Sequence, residues 1–301
     1  MKFIFTISRF VLGALFIFTP GIIAVNAQNF DKSVGKNTRP DFAVDKPSVA
    51  DKSGSVLPSA SSRKQAAATG NWSGFYVGGY AGGSFGRATA DTSTVYSTTG
   101  YFAASSVPAI GTAGRQPITP NRFTGGGTAG YNYQAGNWVV GAEADFGSFS
   151  GNRSVVSTAT YPCCSPSAFT ITQSVKTNWL FTARPRVGYT FDKALVYATG
   201  GVALTDVNYQ AAFTDNYATA SESGGIKQTR AGWTGGGGIE YDLGNRWSVK
   251  GEYLYTDFRR LTTTSTNLTA YTPTQSFPVN VFTHSIYMRD NSIRFGVNYR
   301  F

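Results

Sequence analysis

Eight charged side chains recur at one parity in stretches that otherwise alternate apolar and polar residues: Glu143, Asp145, Arg184, Arg186, Glu240, Lys250, Glu252 and Arg294. They comprise four acids and four bases. Charges so arranged can do one of two things. They can line a hydrated, gated ion path, or they can neutralise one another in a buried lattice of ion pairs. Buried ions need partners, and the balance of signs favours the lattice.

The remaining reactive groups are few. His284 is the sole imidazole, and the chain has only two Cys and two Met. That stock excludes an enzyme built on several His or Cys ligands, and no CxxC metal pattern occurs. Nucleophile activation needs a base that is itself held by a third group. His284 and Ser285 are merely neighbours in sequence, and nothing marks an orienting carboxylate, so the chain is read as a non-enzyme without a cofactor. Cys163 and Cys164 are adjacent, between Pro162 and Pro166. Two free thiols, an intermolecular bridge and a vicinal disulfide are all open to them; an exported setting would favour oxidation, and the reading leans to the vicinal bond.

The elements that must position these groups are strands. Hydrophobic residues make up 41% of the 301 but charged residues only 14%, while Gly numbers 35, Tyr 17 and Phe 22. Such a charge-poor chain, rich in Gly and aromatics, suits an all-β fold, because aromatics favour strands and Gly permits tight sheet packing. At the chain's end Ile293, Phe295, Val297, Tyr299 and Phe301 share one face, with Arg294 and Arg300 on the other. That is period two. The same pattern runs through Phe75–Phe85, Phe123–Tyr133, Trp138–Phe146, Trp179–Tyr189, Ala198–Leu204, Ala231–Tyr241 and Trp247–Tyr255, which makes eight strands.

The connections alternate in length. Residues 134–137, 190–193 and 242–246 read as tight turns, whereas 88–122, 149–175, 207–229 and 259–290 read as long Ser/Thr/Asn/Tyr-rich loops. Short turns at one end and long loops at the other fit an eight-stranded antiparallel transmembrane β-barrel with both termini in the periplasm. Trp138 and Trp247 begin strands that leave short turns, and Trp179 and Trp233 begin strands that descend from long loops, as two interfacial girdles require. The competing architecture is a soluble sandwich with exposed charges. An eight-stranded barrel has an interior just wide enough for side chains.

Upstream, Lys2 and Arg9, an apolar run from Phe10 to Phe18 and Val25-Asn26-Ala27 read as a signal peptide over 1–27. Its removal takes away two cations and no anion, so the +10 chain becomes +8. Residues 28–70 alternate charge with Pro, Ser and Ala and read as a disordered periplasmic tail, or as an arm that binds peptidoglycan or a protein partner. The barrel occupies 71–301. No later stretch approaches the ~20 apolar residues of a membrane helix. No basic helix or base-stacking motif supports a nucleic-acid partner; a basic exported chain is better suited to anionic lipid.

Asn71-Trp-Ser-Gly-Phe-Tyr-Val-Gly-Gly79, Leu195-Val-Tyr-Ala-Thr-Gly-Gly-Val-Ala203, Gly236-Gly-Gly-Ile-Glu-Tyr241 and the 291–301 terminus resemble, in order, strands of the alphaproteobacterial porin-family outer-membrane proteins, also called outer-membrane immunogenic proteins. The resemblance covers about 71–301. It implies an eight-stranded barrel in the bacterial outer membrane with a structural and surface-antigen role, and in some members hemin binding. His284, in the last long loop beside Tyr271 and Tyr287, would then be the candidate hemin contact. A receptor for another small ligand, or a narrow porin, is also compatible with the resemblance. Expected partners are outer-membrane lipids and lipopolysaccharide. Phe301 resembles the terminal aromatic signal read by outer-membrane assembly machinery. The segments 88–122 and 259–290 and the paired cysteines depart from the family pattern.

Overall fold

The computed structural model describes residues 70–301. The expected signal peptide and nearly all of the expected tail lie outside these residues. Eight long strands dominate: β1 (Gly74–Thr94), β2 (Asn121–Ala135), β3 (Trp138–Thr160), β4 (Ala168–Phe191), β5 (Ala194–Asp215), β6 (Ser221–Gly244), β7 (Trp247–Ser265) and β8 (Phe282–Arg300). Each pairs antiparallel with its sequence neighbour. β8 returns to β1 in register from Tyr76↔Arg300 to Thr94↔Phe282. The ring is closed, which leaves no edge of backbone donors and acceptors for lipid to face.

Three two-residue turns close one end, at 136–137, 192–193 and 245–246. Gly136, Asp192, Asn245 and Arg246 carry the positive φ that such hairpin turns demand. These turns are tighter than the sequence pattern suggests. The larger correction is at the other end. Strand reaches into every expected loop and takes up most of 149–175 and 207–229: β1 continues to Thr94, β3 to Thr160, β5 to Asp215 and β7 to Ser265. Only 95–120, 161–167, 216–220 and 266–281 connect strands there. The first holds a short helix, α1 (Ser106–Ala113), and a three-residue strand, Gln116–Ile118, that pairs with β1.

The physical reason is solvent. A bilayer needs about 9–11 residues per tilted strand, yet β4 and β6 have 24 each. The surplus stands clear of lipid, where a strand needs no apolar outer stripe. Its Ser- and Thr-rich outer face therefore reads as loop. Within the lipid-facing part the tryptophans take the outward parity: Trp138 meets Tyr189 and Trp247 meets Tyr299 near the turns, and Trp179 meets Phe146 and Trp233 meets Tyr255 at the opposite rim, with ring centroids 5.1–6.0 Å apart. Trp72 lies just before β1 and turns inward, fully buried.

Candidate functional site: the barrel lumen

The inward positions of β1 serve as a ruler along the interior. Trp72 closes the turn end, packed with Val139, Leu195 and Tyr197 and capped by the Arg300 guanidinium 4.6 Å above its ring. Arg300 also pairs with Asp242 at 2.8 Å.

At the level of Tyr76 and Tyr80 the eight expected charges converge, all of them buried. Arg184 is the hub. Its Nη2 lies 2.7 Å from Glu143 and 2.9 Å from Asp145, and its Nη1 lies 3.3 Å from Glu252. Glu143 also takes Lys250 at 2.7 Å and Arg186 at 3.6 Å. Arg186 reaches Glu240 at 3.1 Å, and Arg294 reaches Asp145 at 3.0 Å. Neutral groups occupy further carboxylate oxygens: Tyr76 donates to Glu143, Tyr197 to Glu252, Ser248 and Asn298 to Glu240, and Thr182 to Asp145. Arg186 is sandwiched by the Tyr76 and Tyr197 rings, each 4.9 Å away, and Arg294 lies over Tyr80. Glycine makes the room. A Cβ at Gly130 or Gly238 would collide with the Tyr76 or Tyr197 ring directly across the strand pair.

Sequence reasoning missed the next layer. Arg122 pairs with Asp290 at 3.4 Å, Ser84 donates to the same carboxylate at 2.6 Å, and Arg122 covers the Phe149 ring. It also missed the tyrosines and asparagines of the network, although Tyr76, Tyr80 and Asn298 carry the same parity signal as the charges.

Beyond Ala88 and Ala90 the lumen turns apolar, filled by Phe149, Val175, Leu180, Val207, Tyr209, Phe258, Leu261 and Ile286. Above this lies His284. The expectation that His284 lies in a long loop is corrected here: it sits in β8 and is fully buried. Its Nδ1 faces Thr92 at 3.0 Å, and its Nε2 faces Glu222 at 3.1 Å and Ser265 at 3.2 Å. Ser265 also donates to Glu222. The misreading follows from the same cause as the loop lengths, since β8 begins eleven residues before its outward apolar stripe at Ile293. Tyr287 hydrogen-bonds Asp257, and Tyr271 lies in the 266–281 connection, so the three residues grouped as a hemin contact do not form one site.

An aromatic cap completes the interior: Phe102, Ile110, Phe169, Ile171, Phe213 and Phe282. Tyr101 and Tyr161 both donate to Asp215 above it, at 2.6 and 2.8 Å, and burial followed by that carboxylate pushes both phenols well above their ordinary range. Cys163 and Cys164 are bonded to each other in the 161–167 connection, with Ser106 of α1 3.5 Å from the Cys163 sulfur. Phe301 points outward beside Tyr299, and its amide donates to the Phe75 carbonyl across the closing seam. Among the described residues no cluster of three or more His, Cys, Asp or Glu could hold a metal.

Comparison with known proteins gives consistent results. Residues 55–301 match the family model described as outer membrane protein beta-barrel domain. The chain is 33% identical over 241 residues to the 31 kDa outer-membrane immunogenic protein of Brucella melitensis, covering 77% of this chain and 84% of the relative. It is 30% identical over 190 residues to a 22 kDa outer membrane protein of Rhizobium leguminosarum, covering 63% of this chain and 66% of that one. Among solved structures, Neisserial surface protein A aligns with 76% of this chain and 98% of its own, at 12% identity and a TM-score of 0.32. The outer membrane protease OmpT of Escherichia coli aligns with 76% and 97%, at 9% identity and a TM-score of 0.38.

Proposed function

This chain belongs to the outer membrane protein β-barrel family and resides in the bacterial outer membrane, and from that premise we propose that it is a structural surface barrel with a closed, non-conducting lumen, presenting its projecting strands and loops as surface antigen. The observation that carries the closed lumen is Arg184. Its guanidinium meets three carboxylates from two other strands at the height where the barrel's outside is apolar. Ions that conduct must exchange their partners for water. Here each charge of the network has a direct counter-charge, and the Arg122–Asp290 pair and an apolar layer stand in line above it.

The antigen role is supported by the Brucella relatives, which are named as immunogenic proteins of the outer membrane. A non-enzymatic role is supported by the geometry around the one imidazole. Thr92 on its Nδ1 and Glu222 on its Nε2 are buried together with the ring, so no substrate reaches the group. The ring is also shut away from solvent, so hemin or a comparable surface ligand finds no free imidazole there.

Planar-bilayer recording on the purified, refolded monomer tests this reading. The expected result is no steady conductance, with heat-modifiable gel migration reporting on the fold in the same sample. Stable single-channel steps from the monomer would overturn the closed lumen and leave the barrel intact as a conclusion.

A further inference from the structure

Arg87 and Arg289 stand directly opposite one another on β1 and β8, both exposed and both on the outward face. Directly opposed like charges destabilise a strand pair. Around them lie three more exposed guanidinium groups. Arg260 is the cross-strand partner of Tyr287, Arg259 precedes it on β7, and Arg115 follows α1. Two acids stand among them: Asp257, 3.5 Å from Arg289, and Asp91, shared by Arg115 and Arg260 at 3.0 and 3.1 Å. Among the described residues the Arg87 and Arg259 side chains have no hydrogen-bond or ion-pair partner.

Three features place this cluster. Arg87 is the next outward residue after Phe85, and Asp257 is in register with the rim tryptophan Trp233. Beyond them the outward positions become Thr89, Asp91, Ser93 and Thr283, so the arginines mark the line where the wall leaves lipid, at the end opposite the tight turns. The register slip between Tyr287 and Arg289 marks a β-bulge there, and Arg259 adopts a φ of +61°, a conformation that favours glycine. Bulges re-aim side chains, and a bulky residue held in left-handed backbone points to a use for that side chain. On the far wall near this height the outward charges are Asp206, held by the Asn178 and Trp179 amides, and the single cations Lys176 and Lys227 on either side of Asn208; directly opposed arginines occur at the β1–β8 pair.

We propose that Arg87, Arg289 and Arg259, with Arg260 beside them, form a binding site on the barrel's outer wall for the phosphorylated headgroup of an outer-leaflet glycolipid. Phosphate oxygens would bridge the opposed guanidinium groups, which recognise phosphate through forked N–H donors. The acyl chains would then lie down the apolar stripe that begins at Phe85 and Ile293. The inference rests on the outer-membrane placement of the barrel.

The test uses the full-length mature protein folded in detergent, titrated with bis-phosphorylated lipid A, with the same lipid dephosphorylated, and with inorganic phosphate, read by native mass spectrometry. The expected result is stoichiometric binding of the phosphorylated lipid, weakened at least about ten-fold by Arg87→Gln with Arg289→Gln. Arg259→Gln alone should weaken it less, and Arg153→Gln, on β3, should leave it unchanged. Heat-modifiable migration of each variant separates loss of binding from loss of fold; should the double variant fail that check, the Arg259→Gln result decides. Equal affinity for the dephosphorylated lipid, or unchanged affinity in the folded variants, would overturn the site. Inorganic phosphate binding as tightly as the lipid would assign the arginines to the free anion and overturn the glycolipid.

Discussion

The two halves of this barrel are built inside out with respect to each other. Near the tight turns the outward positions are Phe75, Val77, Trp138, Val140, Ile239, Phe295 and Val297, and the inward ones are Glu143, Asp145, Arg184, Arg186 and Glu240. Toward the loops the same strands put Ser93, Ser154, Thr158, Ser174, Thr214 and Thr264 outward and bury Ile171, Val175, Val207, Phe213 and Ile286. Each strand keeps one face inward throughout, with irregularities at 177–179 of β4 and 258–260 of β7 resetting the residue parity; only chemistry switches. Lipid outside demands an apolar outer face, so the lumen there can be polar, provided that its charges are paired. Water outside returns the strands to the ordinary rule, in which burying apolar surface stabilises the fold. The lower half is held by lipid and ion pairs, the upper half by a core.

The comparison implies different failure modes. Arg184→Ala would leave Glu143, Asp145 and Glu252 each short of a counter-charge in a buried layer. The expected cost is about 3–5 kcal/mol, read from urea titration of the detergent-folded barrel. A loss under about 1 kcal/mol would mean that water already solvates these groups, and the contrast between the halves would fail. Phe213→Ala opens a cavity among Phe102, Phe169 and Phe282, at about 3 kcal/mol. Its damage should stay above the lipid. Limited proteolysis should cut within 95–120 or 216–220 while the heat-modifiable band persists.

His284 tests whether a polar pair inside the upper core behaves as a buried ionic group does. His284→Ala leaves Glu222 and Thr92 without their ring partner and should cost about 1–3 kcal/mol. Replacing both members, as His284→Phe with Glu222→Leu, should recover most of that loss, because the surroundings above and below are apolar. A double variant no more stable than the single one would show that Thr92, Gln173 and Ser265 need the pair.

How much of the fold is legible in the sequence follows from the same switch. In the lower half every cue is local: Trp138, Val140, Ala142, Ala144 and Phe146 alternate with Glu143 and Asp145, so strand, face and lumen position can all be read together. The ion-pair partners cannot be read from spacing, because Arg184 meets Glu252 across 68 residues of chain. In the upper half the outward residues are Ser and Thr, which are also loop formers, and the inward ones include Ala88, Ala90 and Ala211, too small to show as a stripe. His284 therefore reads as a loop residue. Its neighbours Phe282 and Ile286 carry the inward parity, and that two-residue spacing is the signal that places it in a strand.

The smallest equilibrium effect belongs to the chain's last residue. Phe301 lies on the outer face of the lower half, its ring 5.3 Å from Tyr299, and its amide adds one hydrogen bond to the β1 seam. Deleting it should cost about 1 kcal/mol, from one exposed backbone bond and part of one ring's burial in lipid. Refolding into detergent should then be nearly normal in rate and yield. Insertion in cells is a different measurement: if Phe301 is an assembly signal, recognition precedes any contact of a strand with lipid. On that reading, Phe301 after alternating Ile293, Phe295, Val297 and Tyr299 is what such machinery would read in an unfolded chain. The expected outcome in cells is slowed insertion, with full-length protein accumulating in the periplasm, out of proportion to the stability change. A Phe301→Tyr variant keeps an aromatic end and should insert normally. If the deletion leaves outer-membrane yield in cells unchanged, Phe301 is a girdle residue alone, and the lower half's outer face does no more than meet lipid.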